Sequence, residues 1–370
     1  MTKIRLSKSS ISQAEKDVVL KVLDKEYLGM GEEVKHFEEK IKDYLQTSLD
    51  VVCVNTGTSA LHLALLCLDL KDGDEVLVPS LTYVASYQAI SATGAKPISC
   101  EIDQNTLFID IEDAKKKITK NTKAVMPVHY ASSSKGMEEV YKLAKEFNLR
   151  VVEDAAQAFG SKRDGEFIGS KGDIVCFSFD GIKNITSAEG GAILSSDKEF
   201  IQRVQDGRLL GVEKDTEKRY SSQRSWDFDV KYQGFRYHMS NIMAAIGIAQ
   251  IDRIDDFRQK RQNIAKKYLK ELKNIKDIEF LDFDFDEVLP HIFVIKTKKR
   301  DELREYLINN NIECGIHYKP NHLHTKYKSD LRLPITEQIY EKILTLPCHF
   351  DLTNEEQNIV INKIKEFYGK

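Results

Sequence analysis

Short apolar runs alternate with segments of helical periodicity along the chain from about residue 50 onwards. The runs predicted as strands span residues 51–54, 75–79, 124–128, 150–153, 174–179 and 192–195. Helical patterns follow several of them, one beginning at Ala60 and others spanning residues 85–92 and 137–147. This β-α alternation predicts an α/β protein with a mostly parallel sheet covered by helices on both faces.

The pattern changes after about residue 255. A long charged helical segment at 256–272 is followed by a predicted strand at 292–295, a helix at 302–308, a strand at 313–318 and two C-terminal helices. We therefore predict a large domain over residues 1–253 and a smaller C-terminal α/β domain over residues 254–370. The packing of the N-terminal segment on the smaller domain stays open.

Composition narrows the class of protein. The chain has 370 residues, of which 41% are hydrophobic and 31% charged, with a net charge of −3, so it gives no electrostatic reason to expect a nucleic acid or a membrane as partner. No apolar run has the length of a signal peptide or a membrane span, and we expect a cytoplasmic protein. The six cysteines are scattered singly, which predicts reduced thiols and no metal site.

The first candidate ligand segment is Asn55-Thr-Gly-Thr-Ser-Ala-Leu61, which joins a predicted strand to a helix. Gly57 allows the backbone to approach a ligand closely, while Thr58 and Ser59 place hydroxyl and N–H groups at the positive end of the helix. These groups suit a phosphate. Serine and threonine also cap ordinary helices, and this alternative stays open.

The second segment is Val151-Val-Glu-Asp-Ala-Ala-Gln157, in which Asp154 follows a buried strand. An acidic residue at the carboxyl end of such a strand faces the ligand crevice of an open α/β sheet. Asp154 could there hold a pyridinium nitrogen in its protonated form. The alternative is that Asp154 caps a helix.

The third segment places Lys183 between two apolar strands, in the run Phe177-Ser-Phe-Asp-Gly-Ile-Lys183. Lysine is rarely buried without a purpose. Burial disfavours its ammonium form, and the free amine is then available to form an imine. Ser178, five residues earlier, could reach a phosphate on the same ligand. An ordinary loop lysine is the alternative for this segment alone.

The fourth segment is Pro79-Ser-Leu-Thr-Tyr83-Val-Ala-Ser86, where Tyr83 lies just past a strand end. An aromatic side chain there can stack on a planar ring, although a tyrosine is more often part of a core. The phosphate loop, the aromatic residue, the acid and the lysine occur in this order along one predicted sheet. Together they indicate a site for pyridoxal 5′-phosphate.

In this combination the chain resembles the fold-type-I pyridoxal-phosphate enzymes, and within them the DegT/DnrJ/EryC1/StrS sugar aminotransferase family. Gly31-Glu-Glu-Val-Lys-His-Phe-Glu38 is similar to the family's G-x-x-V-x-x-F-E. Gly234-Phe-Arg-Tyr-His-Met-Ser-Asn-Ile-Met-Ala-Ala-Ile-Gly247 is similar to its G-x-N-x-R-M-x-x-x-x-A-A-x-G. His317-Tyr-Lys-Pro-Asn-His322 and Leu346-Pro347 match its small-domain signatures. The resemblance covers nearly the whole chain.

The resemblance implies an aspartate-aminotransferase-like fold and assigns a role to each candidate residue. Lys183 would carry the cofactor as a Schiff base and act in catalysis. The other cofactor contacts would be Asp154 with the ring nitrogen, Gln157 with the ring hydroxyl, Tyr83 by stacking, and Thr58, Ser59 and Ser178 with the phosphate. His317, Tyr318 and His322 would contact the substrate.

The resemblance also implies a homodimer with shared active sites, in which the segment around Arg236 reaches the cofactor of the neighbouring subunit. The chain departs from the family here, because the usual asparagine is Arg236 and the usual arginine is His238. An arginine can still bind a phosphate through two parallel hydrogen bonds.

The function implied is transfer of the amino group of glutamate to the ketone of a nucleotide-linked deoxysugar, with lysine as the general acid and base. The tail Met239-Ser-Asn-Ile resembles that of enzymes that aminate carbon 4. It points to conversion of dTDP-4-keto-6-deoxyglucose to dTDP-4-amino-4,6-dideoxyglucose for O-antigen synthesis. The alternatives are a 3-keto-sugar nucleotide and a GDP- or UDP-linked 4-keto sugar.

Functions of other classes fit the sequence less well. Family members that dehydrate sugars carry histidine in place of the lysine, which Lys183 argues against. A non-catalytic regulator would have no use for the phosphate, acid and lysine set. A Rossmann dehydrogenase would need a third glycine after Gly29-Met-Gly31, where Val34 stands, and a strand before it.

Overall fold

A seven-stranded sheet organises the first half of the chain in the computed structural model, which describes residues 3–224 and 226–370. Its strands are β1 (Asp50–Val54), β2 (Glu75–Pro79), β3 (Lys96–Cys100), β4 (Thr122–Val125), β5 (Arg150–Asp154), β8 (Ile174–Ser178) and β9 (Gly191–Ser195), with the separate hairpin β6 (Lys162–Arg163) and β7 (Glu166–Phe167) between β5 and β8. The spatial order is β1-β9-β8-β5-β4-β2-β3. β9 runs antiparallel to both its neighbours and the other pairs are parallel, which confirms the predicted mostly parallel sheet.

Helices cover both faces of this sheet. They are α1 (Gln13–Asp24), α2 (Glu32–Leu45), α3 (Gly57–Leu66), α4 (Val84–Ala92), α5 (Ile111–Lys117), α6 (Met137–Phe147), α7 (Lys198–Gly207), α8 (Asp215–Tyr220) and α9 (Asn241–Ile251). Alternate residues of one strand belong to different hydrophobic clusters: Cys53 packs with Phe37 of α2, and Val52 packs with Leu63 of α3. This division follows from the two-residue period of a strand.

The C-terminal part forms a second, smaller cluster around a three-stranded antiparallel sheet. Its elements are α10 (Ile254–Leu272), β10 (Glu279–Phe280), β11 (Phe293–Lys296), α11 (Arg300–Asn309), α12 (Pro334–Tyr340), β12 (Ile343–Leu346) and α13 (Asn354–Phe367). The N-terminal residue Ile4 is buried in this cluster, and its backbone N–H donates to the carbonyl of Asn311 at 2.9 Å. The chain around Ile4 therefore contacts the C-terminal cluster.

Most predicted elements occur within a few residues of their expected bounds, but the predicted strand at 313–318 is wrong. Only Gly315 in that segment forms a bridge, with Thr345. The carbonyl of His317 accepts a hydrogen bond from the Tyr130 hydroxyl instead of pairing with a strand. The Glu313 N–H donates to the Ile4 carbonyl at 2.9 Å, so different residues of this segment bond to different parts of the fold and form no continuous ladder.

The six cysteines are all free thiols, and five of them are buried. Among the described residues, no helix combines the length and apolar character needed to cross a membrane.

Candidate active site

A cavity of about 570 Å³ lies at the edge of the sheet where β1, β2, β5 and β8 end. Six residues predicted to bind the cofactor line it, namely Thr58, Tyr83, Asp154, Gln157, Ser178 and Lys183. His317 and Tyr318 line its other side. Three predicted residues do not line it: Ser59, Arg236 and His322.

The loop after β1 presents the amino end of α3 to this cavity. Thr56 caps the helix by accepting from the Ser59 N–H at 3.0 Å, and the Ser59 hydroxyl accepts from the Thr56 N–H at 3.0 Å. Gly57 and Thr58 occupy the first helical positions, whose N–H groups have no acceptor within the helix and remain available to an anion. The same hydroxyl of Ser59 donates to Asn55 Oδ1 at 2.7 Å. Ser59 therefore caps α3 together with Thr56, and its contact with a phosphate stays a prediction.

Ser178 ends β8 directly beside this helix terminus. A Cβ atom added to Gly57 would lie 2.6 Å from the Ser178 Cβ and 2.7 Å from its Oγ. Real side chains do not approach so closely, so this contact requires glycine at position 57. The glycine thus brings a hydroxyl and the N–H groups of a helix terminus together at one point, which is a suitable cradle for a phosphate.

Asp154 is the last residue of β5, and its carboxylate is held on both oxygens. Ser86 Oγ donates to Oδ2 at 2.7 Å, and the Ala156 N–H donates to Oδ1 at 3.2 Å. The chain then turns, and no described helix begins between residues 155 and 173, so the helix-cap alternative for Asp154 is wrong. Ser86 lay inside a motif singled out above, but only the fold shows that it contacts the acid.

Gln157 and Tyr318 connect the two sides of the cavity. Gln157 Oε1 accepts from the Ala131 N–H at 2.8 Å, and its Nε2 donates to the Tyr318 hydroxyl at 3.1 Å. The Tyr318 ring also lies near that of Tyr83, with a centroid separation of 5.6 Å. Tyr83 is 59% exposed, so this aromatic side chain is at the mouth of the cavity and not in the core.

Lys183 lies in the turn between β8 and β9, where its backbone N–H donates to the Asp180 carbonyl at 3.1 Å. Its Nζ has no hydrogen-bond or ion-pair partner among residues 3–224 and 226–370. Burial lowers the pKa of this ammonium group below its ordinary value, against the opposing effect of Asp154 and Asp180. Lys183 lines the cavity together with Asp154, which distinguishes it from an ordinary surface-loop lysine.

His317 and His291 bring two further imidazoles towards this amine. Burial, with a smaller contribution from Lys183, lowers the pKa of His317 to about 4. His317 Nδ1 lies 2.8 Å from Thr345 Oγ1. Burial also places the pKa of His291 well below its ordinary value, again with a contribution from Lys183. Both rings are therefore neutral near pH 7.

His291 was not found by sequence reasoning. Its backbone is fixed by Ser132, whose Oγ accepts from its N–H at 3.0 Å, and by Arg261, which donates to its carbonyl at 3.1 Å. Its ring Nδ1 is enclosed without a partner in the described part of the chain. A single histidine before a strand carries no spacing or periodicity, so the sequence offered no signal for it.

His322 and Arg236 lie outside the cavity of their own chain. The His322 ring bonds to Ser80 Oγ at 2.7 Å and Glu337 Oε1 at 3.3 Å, and it is 2% exposed. Both ring nitrogens of His322 thus have protein partners, and its contact with the substrate stays a prediction. The Arg236 side chain is exposed, and Asn55 Nδ2 donates to its backbone carbonyl at 3.5 Å.

The residues present fit one kind of ligand. An amine without a partner, a carboxylate fixed at a strand end, an aromatic ring at the mouth and a helix terminus with a serine hydroxyl match an aldehyde, a pyridine ring and a phosphate on one molecule. The fold and this site define the class of fold-type-I pyridoxal-phosphate enzymes.

Comparison with known proteins agrees with this class. Residues 9–365 match the DegT/DnrJ/EryC1/StrS aminotransferase family. The GDP-perosamine synthase of Escherichia coli O157:H7 is 36% identical over 100% of both chains. Among solved structures, S. venezuelae DesV in complex with a ketimine intermediate has a TM-score of 0.91 at 30% identity over 100% of both chains. The pyridoxal-phosphate form of the putative sugar aminotransferase Spr1654 of Streptococcus pneumoniae has a TM-score of 0.91 at 29% identity, covering 99% of each chain.

This chain belongs to the DegT/DnrJ/EryC1/StrS aminotransferase family. It is a sugar aminotransferase that uses pyridoxal 5′-phosphate, as the sequence resemblance predicted. The fold-type-I prediction is likewise confirmed.

The lowered pKa of Lys183 leads to a prediction about cofactor attachment. Because burial favours the neutral amine, a larger fraction of this side chain is reactive at any pH below the ordinary lysine value. The rate at which the cofactor attaches to apoprotein, followed by visible absorbance, should therefore rise with pH to an inflection below that of N-acetyl-lysine amide. An inflection at or above that of the reference amine would contradict the pKa shift.

Proposed function

We propose that this chain transfers the amino group of glutamate to carbon 4 of a nucleotide-linked 4-keto-6-deoxysugar. The observation that carries the proposal is the Lys183 amine, which lies without a partner in a cavity that also contains Asp154. An amine in this state is prepared for imine chemistry with a carbonyl compound. The cavity is open to solvent beside Tyr83, so a large substrate can reach the amine.

The side chains act on the cofactor from different strand ends. When bound, pyridoxal phosphate supplies the carbonyl that accepts the amino group and the ring that withdraws electrons from the reacting carbon. Asp154 holds a proton on the ring nitrogen, and its bond from Ser86 keeps the carboxylate directed at the cavity. Thr58 and Ser178 would hold the phosphate, Gln157 would contact the ring hydroxyl, and Tyr83 would stack on the ring.

Lys183 has two tasks in this proposal. Its Nζ would hold the cofactor covalently, and the same amine would serve as the general acid and base that moves a proton at the reacting carbon. The neutral imidazoles of His291 and His317 add no positive charge that would compete for the nearby carboxylates. His317 and Tyr318 are proposed to contact the sugar, because they line the cavity wall opposite the sheet.

Two nucleotides are the leading candidates for the group that carries the sugar. The sequence around Met239 points to the dTDP-linked sugar of O-antigen synthesis. The 36% identity with a protein named GDP-perosamine synthase favours a GDP-linked sugar. Both candidates share the amination of a keto-deoxysugar and differ in the nucleoside, which is deoxythymidine in one and guanosine in the other.

We include a homodimer with shared sites in the proposal. Arg236 is exposed and lies outside its own cavity, in a segment that also carries Trp226 at 87% and Phe228 at 55% exposure. Large apolar side chains exposed so close together favour coverage by another protein surface. A second copy would cover them and could bring Arg236 to its neighbour's phosphate.

A substrate panel tests the reaction. Purified protein loaded with cofactor is incubated with glutamate and each of the dTDP-, GDP- and UDP-linked 4-keto-6-deoxysugars and a 3-keto-sugar nucleotide, and the position of the new amino group is read by NMR. We expect amination at carbon 4, with one nucleotide preferred. Lys183→Ala is the control and should give no product. Failure of every keto-sugar nucleotide, with cofactor bound, would refute the proposal.

Replacing Asp154 by asparagine tests the role of the acid. A neutral amide cannot hold the ring nitrogen protonated, so we expect kcat to fall by about two orders of magnitude or more. Cofactor absorbance in the variant shows that the site is still loaded. A near-normal kcat in loaded protein would assign Asp154 to holding the turn at Ala156.

Replacing Arg236 by alanine tests the shared site. Loss of an arginine–phosphate contact should weaken cofactor binding about 10- to 150-fold, while kcat at saturating cofactor changes little. If Arg236 instead binds the substrate diphosphate, KM for the sugar nucleotide rises and cofactor affinity is unchanged.

Mixed dimers of Arg236→Ala and Lys183→Ala chains separate the two subunits. When Arg236 serves its neighbour's site, one site of the mixed dimer carries both defects and the other carries neither, so activity partly returns. Absence of recovery in dimers shown to be mixed would exclude the shared-site arrangement.

A further inference from the structure

Glu38 ends the motif that begins at Gly31, and nothing in the proposed chemistry uses it. It lies on α2, is 7% exposed, and directs its carboxylate at β1, the strand at one end of the sheet order. Its Oε1 accepts from the Cys53 backbone N–H at 2.7 Å. A carboxylate buried against a strand needs partners for its charge.

Arg208, which follows α7 and is fully buried, supplies the opposite charge. Its Nη1 donates to Glu38 Oε1 at 2.6 Å and to the Cys53 carbonyl at 2.7 Å. Tyr220 closes the group: its hydroxyl donates to Glu38 Oε2 and accepts from Arg208 Nη2 at 2.9 Å. Glu38 and Arg208 thus bond to both the N–H and the carbonyl of Cys53, as a neighbouring strand would.

Two residues further on, Asn55 is bonded to the backbone of a neighbouring segment and not to side chains such as Glu38 and Arg208. The Asn55 N–H donates to the Tyr237 carbonyl at 2.7 Å, and the Tyr237 N–H donates to the Arg208 carbonyl at 3.0 Å. Val54 forms an antiparallel bridge with His238. Arg208 is therefore bonded through its side chain to the end of β1 and through its carbonyl to the segment that lies beside it.

Thr56, Gly57 and Thr58 follow Asn55 immediately, so the phosphate cradle begins where this bonding ends. The segment 236–238 also carries Arg236, whose carbonyl accepts from the Asn55 side chain. A displacement of either strand at this point would move the N–H groups of the cradle. The ion pair bonds to Cys53, four positions before Gly57, and lies outside the cavity, so it acts through backbone and not by contact.

We propose that Glu38 and Arg208, closed by Tyr220, are positioning residues that fix the phosphate end of the cofactor site. The inference rests on the proposed function, because it requires that Gly57, Thr58 and Ser178 bind the cofactor phosphate. A cradle held in its binding geometry before the ligand arrives loses less freedom on binding, and affinity is higher for that reason.

The charge state of the pair supports a fixed geometry. Burial alone would lower the pKa of Arg208, but Tyr220 and Glu38 more than offset it, and the pKa lies above the usual arginine value. The guanidinium is thus always charged, and it holds the carboxylate, the hydroxyl and the Cys53 carbonyl together in directions set by its planar fork.

The test compares pyridoxal 5′-phosphate with pyridoxal, which lacks the phosphate, as ligands of the apoprotein. Both can attach to Lys183, so the ratio of their Kd values isolates the phosphate end of the site. We expect Glu38→Gln to raise the Kd of pyridoxal 5′-phosphate about tenfold or more and to leave that of pyridoxal within about twofold. Tyr220→Phe, which keeps the ion pair, should change the ratio in the same direction by a smaller factor.

Asp173→Asn is the matched control. Asp173 also pairs with an arginine, Arg150, at 2.7 Å, and also accepts from a strand N–H, that of Val151 at 2.9 Å, but at the opposite end of β5. Loss of the Asp173–Arg150 ion pair should lower the melting temperature of apo and cofactor-loaded protein equally. In Glu38→Gln the increase in melting temperature given by a fixed concentration of pyridoxal 5′-phosphate should shrink, because weaker binding stabilises less.

The outcomes distinguish the proposed phosphate cradle from the proposed positioning role of Glu38 and Arg208. If wild-type protein binds pyridoxal as tightly as its phosphate, the cradle and the positioning role fall together. If wild type prefers the phosphate and Glu38→Gln keeps the same ratio, the positioning role alone is overturned. Should Glu38→Gln not fold, Tyr220→Phe carries the test, and an unchanged ratio there overturns the proposal in the same way.

Discussion

The direction of the strands is the constraint on which the site depends. β1, β2, β5 and β8 all end at the same edge of the sheet, and β9 begins there. Groups as distant in sequence as Thr58 and Lys183 therefore meet without any long connection between them. The amino end of α3 starts at the same edge and adds the positive end of a helix to it. A change in the direction of one strand would remove its residue from the cavity.

Electrostatics at this edge are a balance between burial and nearby charge. Burial lowers the pKa of the Lys183 ammonium group, while Asp154 and Asp180 stabilise the charged form and oppose that shift. The two histidines respond to the same environment and lose their own charge. The result is an amine that faces carboxylates yet is not tied to them by a hydrogen bond, which leaves it free to react with an incoming carbonyl group.

Sequence patterns predicted the sheet and the residues that follow its strands, because strand ends and turns are local features. The bounds of β2 and α6 agree with the prediction, and Asp154 and Lys183 lie in one cavity as expected. The predictions failed where a distant group decides the outcome. Residues 313–318 have the composition of a strand, but Tyr130 occupies a carbonyl there. His291 lacks any local signature, and only its packing against Arg261 places it by the amine.

Ser59 and His322 show what the fold adds to a motif. Both occur in motifs that resemble family signatures, yet their polar atoms are used by Asn55 and Glu337 respectively. A motif therefore identifies the region of the site more reliably than the function of every residue in it. The partners of a side chain are a property of the whole fold.

The manner in which β1 is covered also bears on how the protein behaves at high concentration. A strand at the end of a sheet presents peptide groups that can add a strand from another molecule, which is one route to aggregation. At Cys53 those groups are occupied by Glu38 and Arg208, and a foreign strand would have to displace a buried ion pair before it could bind. The same two side chains therefore close this part of the strand edge to pairing with another molecule.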